Sequence, residues 1–311
     1  MIKLKEYITK YDGGLIDKSF KIMREKGFFT FLKIFFNILP RFIKKFFREY
    51  LPLKWMIIFS DNGKIIRDIQ GNKMILDLND QGISRELALY GYHEKNSTKQ
   101  TKKLITSGMN ILEVGGNIGY YLLIEAKLIG SEGKIYVFEP SPYNIDRLKK
   151  NIEINNYNNV EIFSYAVGDS NSYAKFYISK RSNLCGFNKT EDNDSVLDVK
   201  IIKLDDFLKD KKVDFIRMDI EGYEKEALMG LEQNLKSDRA PKYFFIEIHS
   251  VALNQKGSSA REIINYLKKY GYFVRQSFYR GSLRKTAQST EELLNHPYLE
   301  KGYWETFFQR K

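Results

Sequence analysis

From residue 110 onward, short continuous apolar runs alternate with segments of helical spacing, and that alternation leaves few folds open. Asn110–Val114, Lys134–Phe138, Val160–Ala166, Val213–Met218 and Tyr243–Ile248 read as strands buried on both faces. Tyr120–Leu128, Asn144–Asn155, Tyr223–Leu235 and Ser259–Tyr270 read as the helices between them. Such an order predicts a doubly wound, mostly parallel α/β sheet with right-handed crossovers. A hairpin excursion around Ala174–Ile178 and a strand-like run at Val199–Leu204 interrupt the alternation, and Tyr272–Tyr279 and Glu305–Gln309 read as closing strands. The polar, acid-rich stretch Asn188–Asp198 reads as an exposed loop.

The first 99 residues follow other patterns. The densest apolar stretch, Phe28–Leu39, is interrupted by Lys33 and Asn37 and stopped by Pro40. It is shorter than the ~20 residues that a spanning helix needs. At helical spacing, Lys26, Thr30, Lys33, Asn37, Arg41, Lys44, Lys45 and Arg48 fall in one narrow wedge, with aromatic and aliphatic residues filling the rest. Two readings stay open: a helix pair, split at Pro40, packed in a core or homo-oligomer interface; or residues 20–48 lying in an anionic membrane surface. Further on, Trp55–Asp61, Lys64–Ile69 and Lys73–Leu78 read as a β-meander with turns at 61–63 and 70–72, followed by a short helix at Ser84–Tyr90. The expected organisation is a basic aromatic helical arm over 1–54, an accessory region over 55–99 and the α/β domain over 100–311.

Composition excludes some classes. The single cysteine, Cys185, rules out an intrachain disulfide and a cysteine-only metal cluster. Residues 1–19 carry scattered charges and no apolar signal-peptide core, so the expected location is cytoplasmic, peripheral to a membrane if the arm binds lipid. The formal charge is +12, which would suit nucleic acid, but residues 18–54 hold ten basic against two acidic side chains. Most of the excess belongs to the arm, and nucleic acid is not the expected partner.

In open α/β sheets, ligands bind beyond the carboxyl ends of the strands. The first strand ends in Glu113-Val114-Gly115-Gly116-Asn117-Ile118-Gly119, a turn whose glycines permit close backbone approach, although a purely structural turn is also open. It lacks the central glycine of the dinucleotide fingerprint and the Gly-Lys-Ser/Thr of a P-loop. The second strand ends in Glu139, 26 positions after Glu113, about one βαβ unit. A carboxylate there can accept both hydroxyls of a ribose, or pair with a lysine or cap the next helix. Later strands end in Asp219-Ile220-Glu221 and in His249. Carboxylates beside an imidazole can set its tautomer for general-base work, with His249 the first choice of base and Asp219 orienting it or the acceptor. They can also hold a divalent cation, with Glu221 as a ligand.

The stretches LEVGGNIGYY (112–121), VFEP (137–140), AVGD (166–169), LDDF (204–207), MDIEGYE (218–224) and IEIH (246–249), in that order and spacing, resemble the FkbM family of S-adenosylmethionine-dependent methyltransferases. The resemblance covers residues 105–285, and residues 72–94 are similar to the element that often precedes this domain. It implies a class I methyltransferase (Rossmann-like) fold, a seven-stranded sheet with an antiparallel last strand. It also implies O-methylation of a hydroxyl on a sugar, glycan, lipid-linked glycan or secondary metabolite. By the same resemblance, Glu113, Gly115, Gly116, Asn117 and Gly119 form the methionine-side loop, Glu139 holds the ribose and Ala166 lies near adenine. Asp219, Glu221 and His249 face the methyl group, Asp219 also touching the cofactor. Glu113 stands where aspartate is usual, and Gly116 where alanine is. Methylation of an RNA ribose and a non-catalytic role for a retained fold are the rival classes. The base-methylating Asn/Asp-Pro-Pro-Tyr tetrapeptide is absent.

Overall fold

The structure, a computed structural model, describes residues 45–80, 82–179, 181–182, 185–187, 193–280 and 286–311. Most of the basic aromatic run expected at 20–48 lies outside the described residues. The chain divides into two compact units, Met1–Phe59 and Ser60–Lys311. In the first, a π-helical turn, Phe46–Tyr50, leads into a helix at Leu51–Ile58. The strand expected at 55–61 is therefore mostly helix. Pro52 sits in the first turn, where its missing N–H costs nothing, and a short apolar run fits either period. Trp55 and Phe59, one turn apart, stack at 5.5 Å.

The second unit opens with a hairpin of β1 (Lys64–Ile69) and β2 (Asn72–Asp77), in place of the three-stranded meander. Its turn, Gln70-Gly71, has both residues at positive φ, the geometry that two-residue hairpins demand. The free edge of β2 is covered by side chains. Asn151 accepts from Ile75 N–H at 2.7 Å, and Asn155 both accepts from and donates to the backbone of Lys73. Helices follow at Ile83–Tyr90 and Lys95–Leu104. The second was not expected, because its buried face, Ser97, Thr98, Thr101 and Leu104, carries only one apolar residue.

Then come β3 (Asn110–Val114), β4 (Lys134–Phe138), β5 (Val160–Phe163), β6 (Ala166–Gly168), β7 (Ser172–Ser179), β8 (Asn193–Lys203), β9 (Phe215–Met218), β10 (Tyr243–His249), β11 (Tyr272–Arg280), β12 (Thr286–Ala287) and β13 (Tyr303–Arg310). The main sheet has the order β12-β11-β13-β10-β9-β3-β4-β5. Strands β5, β4, β3, β9 and β10 are parallel, and β13 runs antiparallel to both β10 and β11. This is the class I sheet the sequence pointed to, with β12 added at one edge.

Three details differ from expectation. The run 160–166 breaks after Phe163, and Ala166 starts β6 in a separate three-stranded sheet, order β6-β8-β7. Of the acid-rich stretch expected as a loop at 188–198, residues 188–192 lie outside the described residues, and from Asn193 it belongs to β8, pairing with β7. It is a strand with one face to solvent, which tolerates acids such as Asp198, ion-paired at 2.7 Å with Lys175. The helix expected at 223–235 is two, Glu224–Met229 and Glu232–Lys236, broken around Gly230, where a side chain would run into the carbonyl of Gly168. Helices Tyr120–Ile129, Pro142–Glu153 and Ala260–Lys269 take the expected places. Leu112, Ile216, Phe244, Ile246 and Phe308 form the sheet's buried interior, and the carboxyl ends of β3, β4, β9 and β10 meet along one edge.

Candidate active site

At that edge the chain leaves β3 through Gly115, at φ +92, and its N–H binds the carbonyl of Phe138 at 2.9 Å. A side chain at Gly115 would collide with the backbone carbonyl of Asp219, so the turn can lie against the end of β9 only as glycine. Gly116 and Gly119 are small for packing reasons, since side chains there would meet Val137 and Leu148. Asn117, at φ +46, completes the turn.

A cavity opens beside this turn. Phe138, Val167, Phe176 and Phe187 give it apolar walls, and Gly115, Asn117, Glu139, Ala166 and Asp219 line it as well. Glu139 is buried; its Oε2 accepts from Asn117 N–H at 2.8 Å and its Oε1 from Ser141 N–H at 2.9 Å. Each oxygen keeps a lone pair. Burial pushes the Glu139 carboxyl up to about 7, against the lowering effect of those two N–H donors. Asn144 lines the same cavity, and its buried Oδ1 has no hydrogen-bond partner among the described residues. An unsatisfied acceptor on an apolar wall suits a ligand that brings its own donors, as an adenine amino group or ribose hydroxyls do. Ser182, which also lines the cavity, is tied to Asp80 through its N–H at 3.1 Å and its hydroxyl at 2.6 Å.

Glu113 and Gly116 do not line this cavity, and neither does Gly119. The Glu113 carboxylate is fully buried and accepts from Arg217 Nη1 at 3.3 Å. Burial raises both Glu113 and its neighbour Glu125. Arg217 in turn donates to Asp219 Oδ2 at 3.0 Å and lies 4.1 Å over the Tyr121 ring. Glu113 thus acts on the site through Arg217.

A second cavity lies on the other side of the turn. Asn117, Asp219 and Glu221 line both cavities. Asn117 and Glu221 are both non-glycine residues at positive φ, so backbone strain is stored at the boundary. The second cavity is densely polar: Arg217, Arg280, His93 and Glu247 face it with Tyr120 and Tyr121. Arg280 bridges Glu247 at 2.8 Å and Glu94 at 2.9 Å. Despite burial, the flanking Glu94 and Glu86 carboxylates raise His93 to about 10, so it is a cation.

His249 is 2% exposed at the end of β10. Its Nδ1 lies 2.8 Å from Glu224 Oε1, and its Nε2 faces Glu221 at 3.3 Å and Asp219 and Glu247 at 3.8 Å. Burial alone would lower its pKa, but Glu221 and Glu224 outweigh that and hold it well above the usual histidine range. Asp219, Glu221 and His249 do converge as expected.

Sequence reasoning missed His93, Glu94, Arg217, Glu247 and Arg280. Two of these carried a signal. Arg217 precedes Asp219 by two positions and Glu247 precedes His249 by two, so strand periodicity puts each pair on one face. His93 and Arg280 lie 187 positions apart, and only the fold joins them.

The family model described as the methyltransferase FkbM domain matches residues 113–274, just over half of the chain. A protein-L-isoaspartate O-methyltransferase of Methanococcoides burtonii is 41% identical over 58 residues, 19% of this chain and 29% of the relative. Methyltransferase 1 of Beauveria bassiana is 28% identical over 145 residues, 39% of this chain and 58% of the relative. The chain thus spans well under two thirds of the length of these curated relatives. Among solved structures, a SAM-dependent methyltransferase from Aquifex aeolicus aligns with TM-score 0.41 at 17% identity, covering 75% of this chain and 95% of that one. With the family match spanning the glycine turn, Glu139, Asp219 and His249, the chain belongs to the FkbM family of S-adenosylmethionine-dependent methyltransferases.

Proposed function

We propose that the chain methylates a hydroxyl oxygen of a sugar, glycan or lipid-linked glycan. The observation that carries this reading is the shared wall: Asn117, Asp219 and Glu221 separate an apolar cavity with one carboxylate from a cavity of mixed charge. The first suits S-adenosylmethionine, with Glu139 accepting from the ribose hydroxyls. The second offers carboxylate acceptors at Asp219, Glu221 and Glu247 and donors at Arg217 and Arg280, the complement of a neutral polyhydroxyl acceptor. The isoaspartate named for the archaeal relatives is an anion, which those carboxylates disfavour.

The bound cofactor supplies a methyl group on a sulfonium, already a good leaving group. The protein's task is alignment and proton removal. Gly115 brings the β3 turn against Asp219, and Arg217 fixes that carboxylate from behind. Asp219 and Glu221 then receive the hydroxyl's hydrogen bond at the boundary, with His249 Nε2 3.3 Å from Glu221.

Transfer of tritiated methyl to neutral glycans, lipid-linked glycans, an isoaspartyl peptide and RNA tests the reading. Label is expected on a glycan as an alkali-stable ether. Label on the peptide or the RNA instead would overturn it. The lipid-linked form rests on the basic aromatic run at 20–48. Flotation with anionic liposomes should be lost on deleting residues 1–50, and equal flotation removes that form. Among the described residues, no helix is long and apolar enough to cross a membrane.

A further inference from the structure

We infer that the carboxyl ends of β9 and β10 form a divalent-cation site, with His249, Asp219 and Glu247 as its protein ligands. The inference deepens the proposed function, on which it rests for its chemical role. One ligand atom from each of the three residues lies within 4.8 Å of the others. A cation with bonds of about 2.0–2.2 Å needs its ligand atoms roughly 3–3.5 Å apart, so a small contraction closes the shell.

The orientation of each side chain supports ligation. The Nε2 of His249 is buried and faces three carboxylates, Glu221 at 3.3 Å and Asp219 and Glu247 at 3.8 Å. Its Nδ1 is held at 2.8 Å by Glu224, which is fully buried and also accepts from Gly222 N–H at 2.9 Å. A carboxylate behind an imidazole is the outer-shell device that fixes a ligating histidine's ring and tautomer. Arg217 takes Asp219 Oδ2 and leaves Oδ1 facing Nε2 at 3.8 Å. Arg280 grips Glu247 Oε1 at 2.8 Å from the opposite side, and that oxygen keeps a second lone pair. Two guanidiniums thus aim two carboxylates at one imidazole nitrogen.

The donor set, one imidazole and two carboxylates, suits Mn²⁺, Fe²⁺ or Zn²⁺ better than Ca²⁺, which prefers oxygen alone. Two of the ligands, Asp219 and Glu247, line the second cavity, where an acceptor hydroxyl would complete the shell. Coordination acidifies that hydroxyl. Its proton passes to Glu221, 3.3 Å from Nε2, and on to water, while the new oxygen–carbon bond forms as the carbon–sulfur bond breaks. Sequence alone suggested Glu221 as a ligand; the geometry places Glu247 in that role.

Mn²⁺ titrated into the full, chelator-stripped chain, with the free aquo ion followed by electron paramagnetic resonance, tests the site. One bound ion per chain is expected, with echo modulation from a directly bound ¹⁴N. Glu247→Gln and Asp219→Asn, both isosteric, should each weaken Mn²⁺ at least tenfold. The absence of bound Mn²⁺, the absence of nitrogen modulation, or unchanged affinity in both variants would overturn the inference. Calorimetry with S-adenosylmethionine runs in parallel. Cofactor binding without Mn²⁺ sinks the cation site alone, whereas Mn²⁺ binding without the cofactor supports the site and sinks the methyltransferase reading.

Discussion

The two cavities share three residues yet are built on different principles. The cofactor side is backbone geometry and apolar wall: a glycine turn, aromatic rings and one carboxylate, Glu139, held by two N–H groups. The opposite side is side-chain charge: two arginines, one histidine and three carboxylates gathered from the ends of β9, β10 and β11 and from the segment after helix 83–90. A cofactor with fixed shape can be met by a fixed backbone. An acceptor whose hydroxyls must be told apart needs many separately aimed donors and acceptors.

The contrast can be broken most forcefully at Gly115. Gly115→Ala forces a side chain into the Asp219 carbonyl from a φ of +92, and S-adenosylmethionine binding should fall about a hundredfold or more, with a lowered melting temperature. Calorimetry and a thermal melt measure both, and wild-type affinity would mean that the turn does not shape the cofactor cavity. Next, Glu139→Ala should weaken the cofactor about tenfold or more, because hydrogen bonds to a charged acceptor carry about 1.5–3 kcal/mol. An unchanged dissociation constant would remove Glu139 from the ribose. On the other side, Arg280→Met should raise the acceptor KM about tenfold and leave cofactor affinity within about twofold, since Arg280 lines only the second cavity. Equal losses on both sides would erase the division.

The smallest effect is one of pH. The Glu139 carboxyl, raised to about 7 by burial and by the nearby Asp219 charge, ionises between pH 6 and 8. The ionised form is the better acceptor for ribose hydroxyls, so cofactor affinity should rise about two- to fivefold across that window. Glu139→Gln should flatten the profile. A wild-type profile that falls with pH contradicts the assignment.

Legibility in the sequence follows the same division. The cofactor side is local: glycine spacing and an acid after four apolar residues are visible as one-dimensional patterns, as is the strand alternation beneath them. The acceptor side is assembled from distant parts. Helix 95–104 buries serine and threonine, so no apolar periodicity announces it, yet it brings the Ser97 hydroxyl to Glu305 and Thr98 to Tyr120 at 3.0 Å. The first half of β8 was hidden because acids on a solvated face look like a loop. His249 was visible as a residue, but its protonation depends on Glu221 and Glu224 arriving in space.

The position of β13 also governs how the domain comes into being. Residues 303–310 lie between β10 and β11, and Tyr303 packs edge-on against His249 at 5.2 Å. During synthesis, residues 243–280 therefore emerge before the strand that separates them. Until residue 310 clears the ribosome, β10 and β11 each present an open edge rich in aromatic side chains, the kind that invites pairing with another chain. A nascent polypeptide stalled before Tyr303 would be prone to aggregate, and no partial product could hold His249 in its finished setting.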